Sequence, residues 1–308
     1  MASAIPLVMF GGSVTTIGAG MAVDGWLIAE GHFMVFFPIE SWLRDTATFV
    51  EHTHRLFGVL VGLFAIATVV STFLKDPRRR ARLFATLGLL AVCVQGTVGG
   101  FRVLENSPRL AFLHGALAQA VFAILVSSAV YLSPRWGGER QSRAGVTRGL
   151  RSLAGWTVVA VYGQVVLGAW YRHAIRPSTT PEATMRFLLH LFGALAVTTL
   201  VFLLARSLGR LGREGNRAAA RKAHALLILL GVQITLGVGA LVGYRSGTVG
   251  PIEWGLAICH VLGGGLLLGE AAVVRLWAAT GAAGVEPDPA AGERGASGGR
   301  PSHLGGTA

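Results

Sequence analysis

Apolar residues fall in eight long runs separated by polar segments. Each run is close to the roughly 20 residues that a helix needs to cross a bilayer. The pattern predicts helices over Ala4–Val23, Arg55–Leu74, Leu83–Val103, Leu110–Leu132, Leu153–Tyr171, Phe187–Arg206, Ala223–Val242 and Gly255–Trp277. The first run begins almost at Met1 without a basic leader, so either the true start lies upstream or that helix is short at its outset. It carries no Ala-x-Ala cleavage pattern leading into a soluble domain and reads as a helix rather than a signal peptide. From 278 to 308 the chain turns to Gly, Ala, Pro and Ser, which predicts a disordered tail that includes His303.

The segments between the runs alternate in charge. Lys75, Arg78, Arg79, Arg80 and Arg82 follow the second run. Arg135, Arg140, Arg143, Arg148 and Arg151 follow the fourth, and Arg206, Arg210, Arg213, Arg217, Arg221 and Lys222 follow the sixth. The other connections hold few bases and carry Asp24, Glu30, Glu40, Asp45, Glu51, Glu105, Glu182 and Glu253. Basic loops stay on the cytoplasmic side of a membrane protein. The three basic loops and both termini are therefore expected in the cytoplasm, which suits the plasma membrane of a bacterium.

Composition agrees. Only 14% of the 308 residues are charged and 52% are hydrophobic, against roughly 25% charged in soluble domains. That excludes a water-facing fold and, for most of the chain, disorder. The net charge of +12 would suggest nucleic acid on a soluble protein, but 16 of the 27 basic residues lie in the three loops above, so the excess is a topology signal and no nucleic-acid partner is expected. Cys93 and Cys259, the only cysteines, sit inside apolar runs and read as buried thiols rather than a disulfide framework.

A repeat runs through the helices. The third, fifth and seventh carry Gln-x-x-x-Gly, at Gln95/Gly99, Gln164/Gly168 and Gln233/Gly237. The even helices carry a histidine near their start: His54, His114, His190 and His260. The unit is a helical hairpin used four times, with small residues allowing close contact. The expected fold is all-α and integral to the membrane, with eight transmembrane helices in two parallel, pseudo-symmetric four-helix bundles. The N-terminal half is 1–132, a cytoplasmic linker 133–151, the C-terminal half 152–277 and the tail 278–308.

The four histidines share one depth on the outer side, and ionisable groups at membrane depth are functional candidates. Imidazole suits iron, copper and zinc. No Cys or acidic ligands stand at metal spacing beside them, which argues against zinc, and two histidines per half fit axial ligation of one haem between helices. His52 and His173 are candidates for a supporting role, while His32 and His224 read as interfacial polar residues. Only the first pair has a carboxylate one turn before its histidine: Glu51 precedes His54 by three residues, where the other helices have Ala111, Phe187 and Ala257. Glu51 shares a helix face with His54 and can act on whatever His54 binds, as a general base or by stabilising positive charge. Alternatively it pairs with Arg55 at i+4. The segment Asp24–Val50 is long and aromatic, either covering a lipophilic substrate or forming an interfacial belt.

These residues resemble the haem A synthase family over nearly everything before residue 278. The most specific elements are Glu51-x-x-His54-Arg55 and the four even-helix histidines, supported by Gly11-Gly12, Gly18-Ala19-Gly20, Asp24-Gly-Trp26, Gln95…Gly99-Gly100 and Gln164-x-x-x-Gly168-Ala169. The resemblance implies an oxidoreductase that converts the C8 methyl group of haem O to the formyl group of haem A, for haem-copper cytochrome oxidases. It implies that His54 and His114 ligate the substrate haem iron, that Glu51 is the catalytic carboxylate, and that His190 and His260 ligate a haem b cofactor, with Arg55, His52 and His173 in support. The implied partners are haem O, the lipid bilayer, haem O synthase (the protohaem farnesyltransferase), oxidase assembly factors and a second copy of the chain as a homo-oligomer. Two departures stand out. Ser13-Val14-Thr15-Thr16 occupies the stretch of the first helix where many members carry an arginine, and the first external segment lacks the cysteine pair of some members. The alternatives are a non-catalytic bis-histidine dihaem cytochrome, whose histidines should lie at two depths, and a protein that handles haem as cargo.

Overall fold

A computed structural model describes residues 2–133, 136, 145–174, 180–243 and 249–280. Eight helices dominate: α1 (Ala4–Thr16), α2 (Thr46–Lys75), α3 (Arg79–Leu104), α4 (Pro108–Leu132), α5 (Arg148–Ala174), α6 (Pro181–Arg213), α7 (Arg217–Gly243) and α8 (Pro251–Thr280). Much of the 133–151 connection and the tail with His303 fall outside the described residues.

Local chemistry sets the helix starts. Asp45 accepts from the Thr48 N–H at 2.9 Å to begin α2, and donation from the Thr48 amide and hydroxyl holds the Asp45 carboxyl below its ordinary range. Ser107 and Thr180 cap α4 and α6, each followed by a proline at the first helical position. At the α2–α3 turn the Arg78 guanidinium and backbone N–H hold the Asp76 carboxyl at about 2.

Seven of the helices are long and apolar enough to cross a membrane, making this a multi-pass membrane protein. α1 differs from the expectation of a helix to Val23. It ends at Thr16, because Gly18 takes a left-handed φ of +71° and turns the chain. Its 13 residues make a rod of about 20 Å, short of the roughly 30 Å hydrocarbon core.

Consecutive helices pack side by side within α1–α4 and within α5–α8, and α8 also closes on α5. Contact of α8 with α1 and α4, and of α4 with α5, joins the two groups. α8 is the central element. Half of its apolar window is buried, against 11–28% for the other six spans. Trp277, Leu267, Leu268 and Val274 join Leu204, Leu208, Leu226 and Ala154 in the largest core. Outward faces are apolar too, with Leu63, Phe64, Phe192, Leu195, Ile228 and Val238 exposed, the pattern that lipid rather than water selects. Cys93 corrects the buried-thiol expectation: it is exposed, and Cys259 is half-buried, both free. An apolar run in a membrane helix has a lipid-facing side, so an apolar setting in the sequence does not imply the core.

The segment between α1 and α2 is built, not structureless. Ile28–Ala29 pairs antiparallel with His32–Phe33 around Glu30 and Gly31, both at positive φ (47° and 83°), as a two-residue type I′ turn requires. Val23, Ala29 and Phe37 form a small core of their own with Trp42 beside it. Arg44 ties it together, reaching Glu30 at 2.9 Å and the Ala22 carbonyl at 3.3 Å.

Candidate functional site

The four even-helix histidines meet in two pairs. His54 and His114 have ring centroids 6.3 Å apart at an interplanar angle of 89°. His190 and His260 repeat this at 6.4 Å and 83°. Imidazole–metal bonds are about 2 Å, so one metal ion fits between the rings of each pair. Among the described residues no cluster of three or more His, Cys, Asp or Glu side chains gathers at metal-binding distance. A pair of imidazoles alone suits a metal whose remaining positions are filled by a macrocycle.

The Gln-x-x-x-Gly repeat explains how the rings are seated. Glutamine and glycine four residues apart share a helix face. The glutamine holds the next helix at its histidine: Gln95 Nε2 donates to the His114 carbonyl at 3.0 Å and Gln164 Nε2 to the His190 carbonyl at 2.7 Å. In the last hairpin the backbone joins in, with His260 Nδ1 3.2 Å from the Gln233 carbonyl and Gln233 Nε2 3.4 Å from His260 Nε2. The glycine leaves room for the ring. A Cβ on Gly99, Gly168 or Gly237 would lie 2.7, 2.9 and 2.9 Å from Cε1 of His114, His190 and His260. The glutamine oxygens of Gln164 and Gln233 rest on Gly193 and Gly263, three residues past the paired histidine.

A fourth copy of this seat lies in α1 and was not legible as part of the repeat. Gly11 faces His54 Cε1, where a Cβ would stand at 2.8 Å, and the Leu7 carbonyl lies 3.1 Å from His54 Nδ1. Leu7 and Gly11 keep the i, i+4 spacing, but a backbone carbonyl replaces the glutamine. Only that spacing before a glycine could have revealed it.

Glu51 is buried, at 2% exposure, and its carboxylate turns to the segment between α1 and α2. Oε2 accepts from the Ala22 and Val23 N–H groups at 2.7 and 3.1 Å. Oε1 accepts from Arg55 at 2.8 Å, and Arg55 also donates to the Val23 and Gly25 carbonyls, each at 2.8 Å. The i+4 ion pair therefore forms, and it doubles as a clamp that fastens 22–25 over the N-terminal end of α2. Trp26, just beyond, lies against Gly100 of α3. His52 faces away from the His54 pair. It packs between Phe37 and Trp42, at centroid distances of 4.7 and 5.4 Å. The side chain of His173 lies outside the described residues.

Two arginines not singled out in the sequence border the site. Arg102 donates to the Gly20 carbonyl. Arg172 crosses from α5 to α1 and donates to the Gly12 carbonyl and Thr16 Oγ1. It brings a cation to the stretch of α1 where Ser13-Val14-Thr15-Thr16 departs from the family pattern. The α1 hydroxyls are otherwise satisfied within the helix, Ser13 and Thr16 bonding the carbonyls four residues back.

Residues 1–272 match the family described as cytochrome oxidase assembly protein. The chain belongs to that family. Individual relatives are more distant. It is 28% identical over 175 residues to a protein named Heme A synthase from Exiguobacterium sp., covering 54% of this chain and 53% of that one. Proteins of the same name from Nitrosospira multiformis and Chelativorans sp. are 34% and 29% identical over 127 and 120 residues, covering 38% and 37% of this chain and 34% and 33% of theirs. The chain thus spans about half the length of the first of these relatives and about a third of the other two. No solved structure matches it. Family membership agrees with the resemblance carried by Glu51-x-x-His54-Arg55 and the four histidines.

Proposed function

We propose that this family member is a haem A synthase, an oxidoreductase that oxidises the C8 methyl group of haem O to a formyl group through successive hydroxylations. The observation that carries the reading is the duplication of the histidine pair combined with its asymmetry. Two seats have the same ring spacing, yet only the first has a carboxylate one helical turn before its histidine: Glu51, 2% exposed, precedes His54 by three residues, whereas the buried Glu253 of α8 stands seven residues before His260. Two equal electron-relay sites would need no such difference, and all four histidines belong to the same ends of their helices rather than to two depths.

In this reading the halves 1–132 and 152–277 are pseudo-symmetric bundles. His54 and His114 hold and orient the substrate haem, and His190 and His260 ligate haem b. A haem bound there supplies one-electron oxidation and reduction. Glu51 contributes a carboxylate beside the substrate pair as base or charge stabiliser, with Arg55 fixing its position. The Glu51–Arg55 clamp and the aromatic outer segment close the outer end against water. The basic loops and both termini face the cytoplasm across a bacterial plasma membrane. Haem O synthase and oxidase assembly factors are the expected partners.

The test is chemical. Expressed in cells that accumulate haem O, the protein should yield haem A or its hydroxylated intermediate in an acid–acetone extract. Properly inserted protein yielding only unaltered haem B and haem O would overturn the assignment. The seats give a second expectation. Gly168→Ala should turn His190 out of register and remove most of the bound haem b absorbance. Gly163→Ala, five residues earlier on the same helix with open space around it, should leave the spectrum unchanged. Equal spectra from the two variants would refute the role of the glycine.

A further inference from the structure

An open cleft of about 220 Å³ lies at the outer end of the N-terminal helices, lined by Val14, Thr15, Gly20, Arg102, Ser107 and Ala111 among others. It adjoins the first histidine pair from both walls. Ala111 is three residues before His114 on the same face of α4, and Val14 is three residues after Gly11, which packs on His54. The cleft is therefore about one helical turn, roughly 5 Å, outward of the two rings.

Its chemistry is that of an anion site. The half-buried Arg102 makes one hydrogen bond among the described residues, to the Gly20 carbonyl, although a guanidinium carries five N–H donors. The nearby charges do not cancel it. Arg102 lies within electrostatic reach of Glu51 and Arg55, but Glu51 is already paired with Arg55 at 2.8 Å. Glu105, the residue after the end of α3, is exposed. Two cations and one buried carboxylate leave one positive charge uncompensated at the cleft. The N-terminal turn of α4, with Ser107 and Ala111 in the wall, adds a helix end that favours negative charge. Seven residues after the repeat glutamine, where α3 has Arg102, α5 has Tyr171 and α7 has Ala240; the cation within electrostatic reach of the second pair is Arg172, which is bonded to Gly12 and Thr16 of α1.

We propose that Arg102 and this cleft receive a carboxylate side arm of the tetrapyrrole held between His54 and His114, orienting the macrocycle about the axis through its two ligands. Two axial imidazoles leave a flat ring free to rotate in its own plane. A single charged anchor at the rim fixes which ring carbon faces the Glu51 side. Arg102 is thus a positioning residue, and the inference rests on the haem reading of the first pair.

The experiment compares iron protoporphyrin IX with its dimethyl ester, which keeps the iron and ring but removes both carboxylates. Full-length protein in detergent, with its second site filled during expression, is titrated with each. The absorbance change counted is the part lost in His54→Ala. The free acid should bind about 10–100-fold more tightly than the ester, the range expected for a charge-assisted hydrogen bond. Arg102→Gln should reduce free-acid affinity to that of the ester and leave ester affinity unchanged, while Arg102→Lys keeps part of the preference. Equal affinities in the unmodified protein, or a preference that survives Arg102→Gln, overturn the proposal. If Arg102→Gln fails to insert, the acid–ester comparison on the unmodified protein and on Arg102→Lys still decides it. A titration with no His54-dependent change for either compound defeats the haem reading of the pair itself, and this inference with it.

Discussion

Glu51→Ala is expected to abolish haem A formation while the His190/His260 pair still holds haem. The carboxylate is 2% exposed and serves three donors: the Ala22 and Val23 amides and the Arg55 guanidinium. Removing it leaves Arg55, whose side chain is 8% exposed, as a buried cation without its partner, a change that typically costs about 3–5 kcal/mol. The loss falls on the outer segment, because the clamp joins 22–25 to α2. The second histidine pair lies on other helices with other anchors and should survive. Haem extraction reads the first effect and limited proteolysis of the outer segment reads the second. Glu51→Gln separates the roles, since it keeps the shape and an acceptor oxygen but not the charge. It should restore much of the protease protection without restoring haem A. Normal haem A yield in well-inserted Glu51→Ala would remove the carboxylate from the chemistry. An unchanged proteolysis pattern would remove it from the clamp.

The second large effect is expected at the other pair. His190→Ala or His260→Ala should eliminate the low-spin haem b spectrum, because that state needs both axial imidazoles and the two rings stand 6.4 Å apart on α6 and α8. Neither helix offers a replacement at the same place: Leu189 and Leu191 flank His190, and Cys259 and Val261 flank His260. His54→Ala should leave this spectrum intact. A reduced spectrum unchanged by His190→Ala would refute the assignment of the cofactor to this pair, and loss of the same signal in His54→Ala would exchange the roles of the two seats.

Much of the site was legible before the fold. The four histidines and the Gln-x-x-x-Gly repeat are periodic, and periodicity survives in sequence because each hairpin solves the same packing problem with the same residues. The seat in α1 was not, because its hydrogen-bond acceptor is a backbone carbonyl, at Leu7, and every residue has one. Glu51 was legible as a candidate by its offset from His54, but the side to which its carboxylate turns was not. That depends on the Ala22 and Val23 amides, about 30 residues away, being brought to it. Arg102 and Arg172 resemble any helix-end arginine until Gly20 and Gly12 are brought beneath them.

By itself the sequence determined a multi-pass helical membrane protein, the location of its spans after α1, the alternating charge of the segments between them and the recurrence of a histidine near the start of each even helix. These follow from solvent preference and helix period, which act on each segment separately. Tertiary structure alone decided that α1 stops at Thr16, that the segment between α1 and α2 folds into a hairpin with its own small core, and that Cys93 faces outward. It alone paired His54 with His114 and His190 with His260, tied Glu51 to the outer segment and left Arg102 over an open cleft. These are long-range outcomes: which neighbour lies across a helix face is set by the packing of other helices, to which no local pattern in the chain refers.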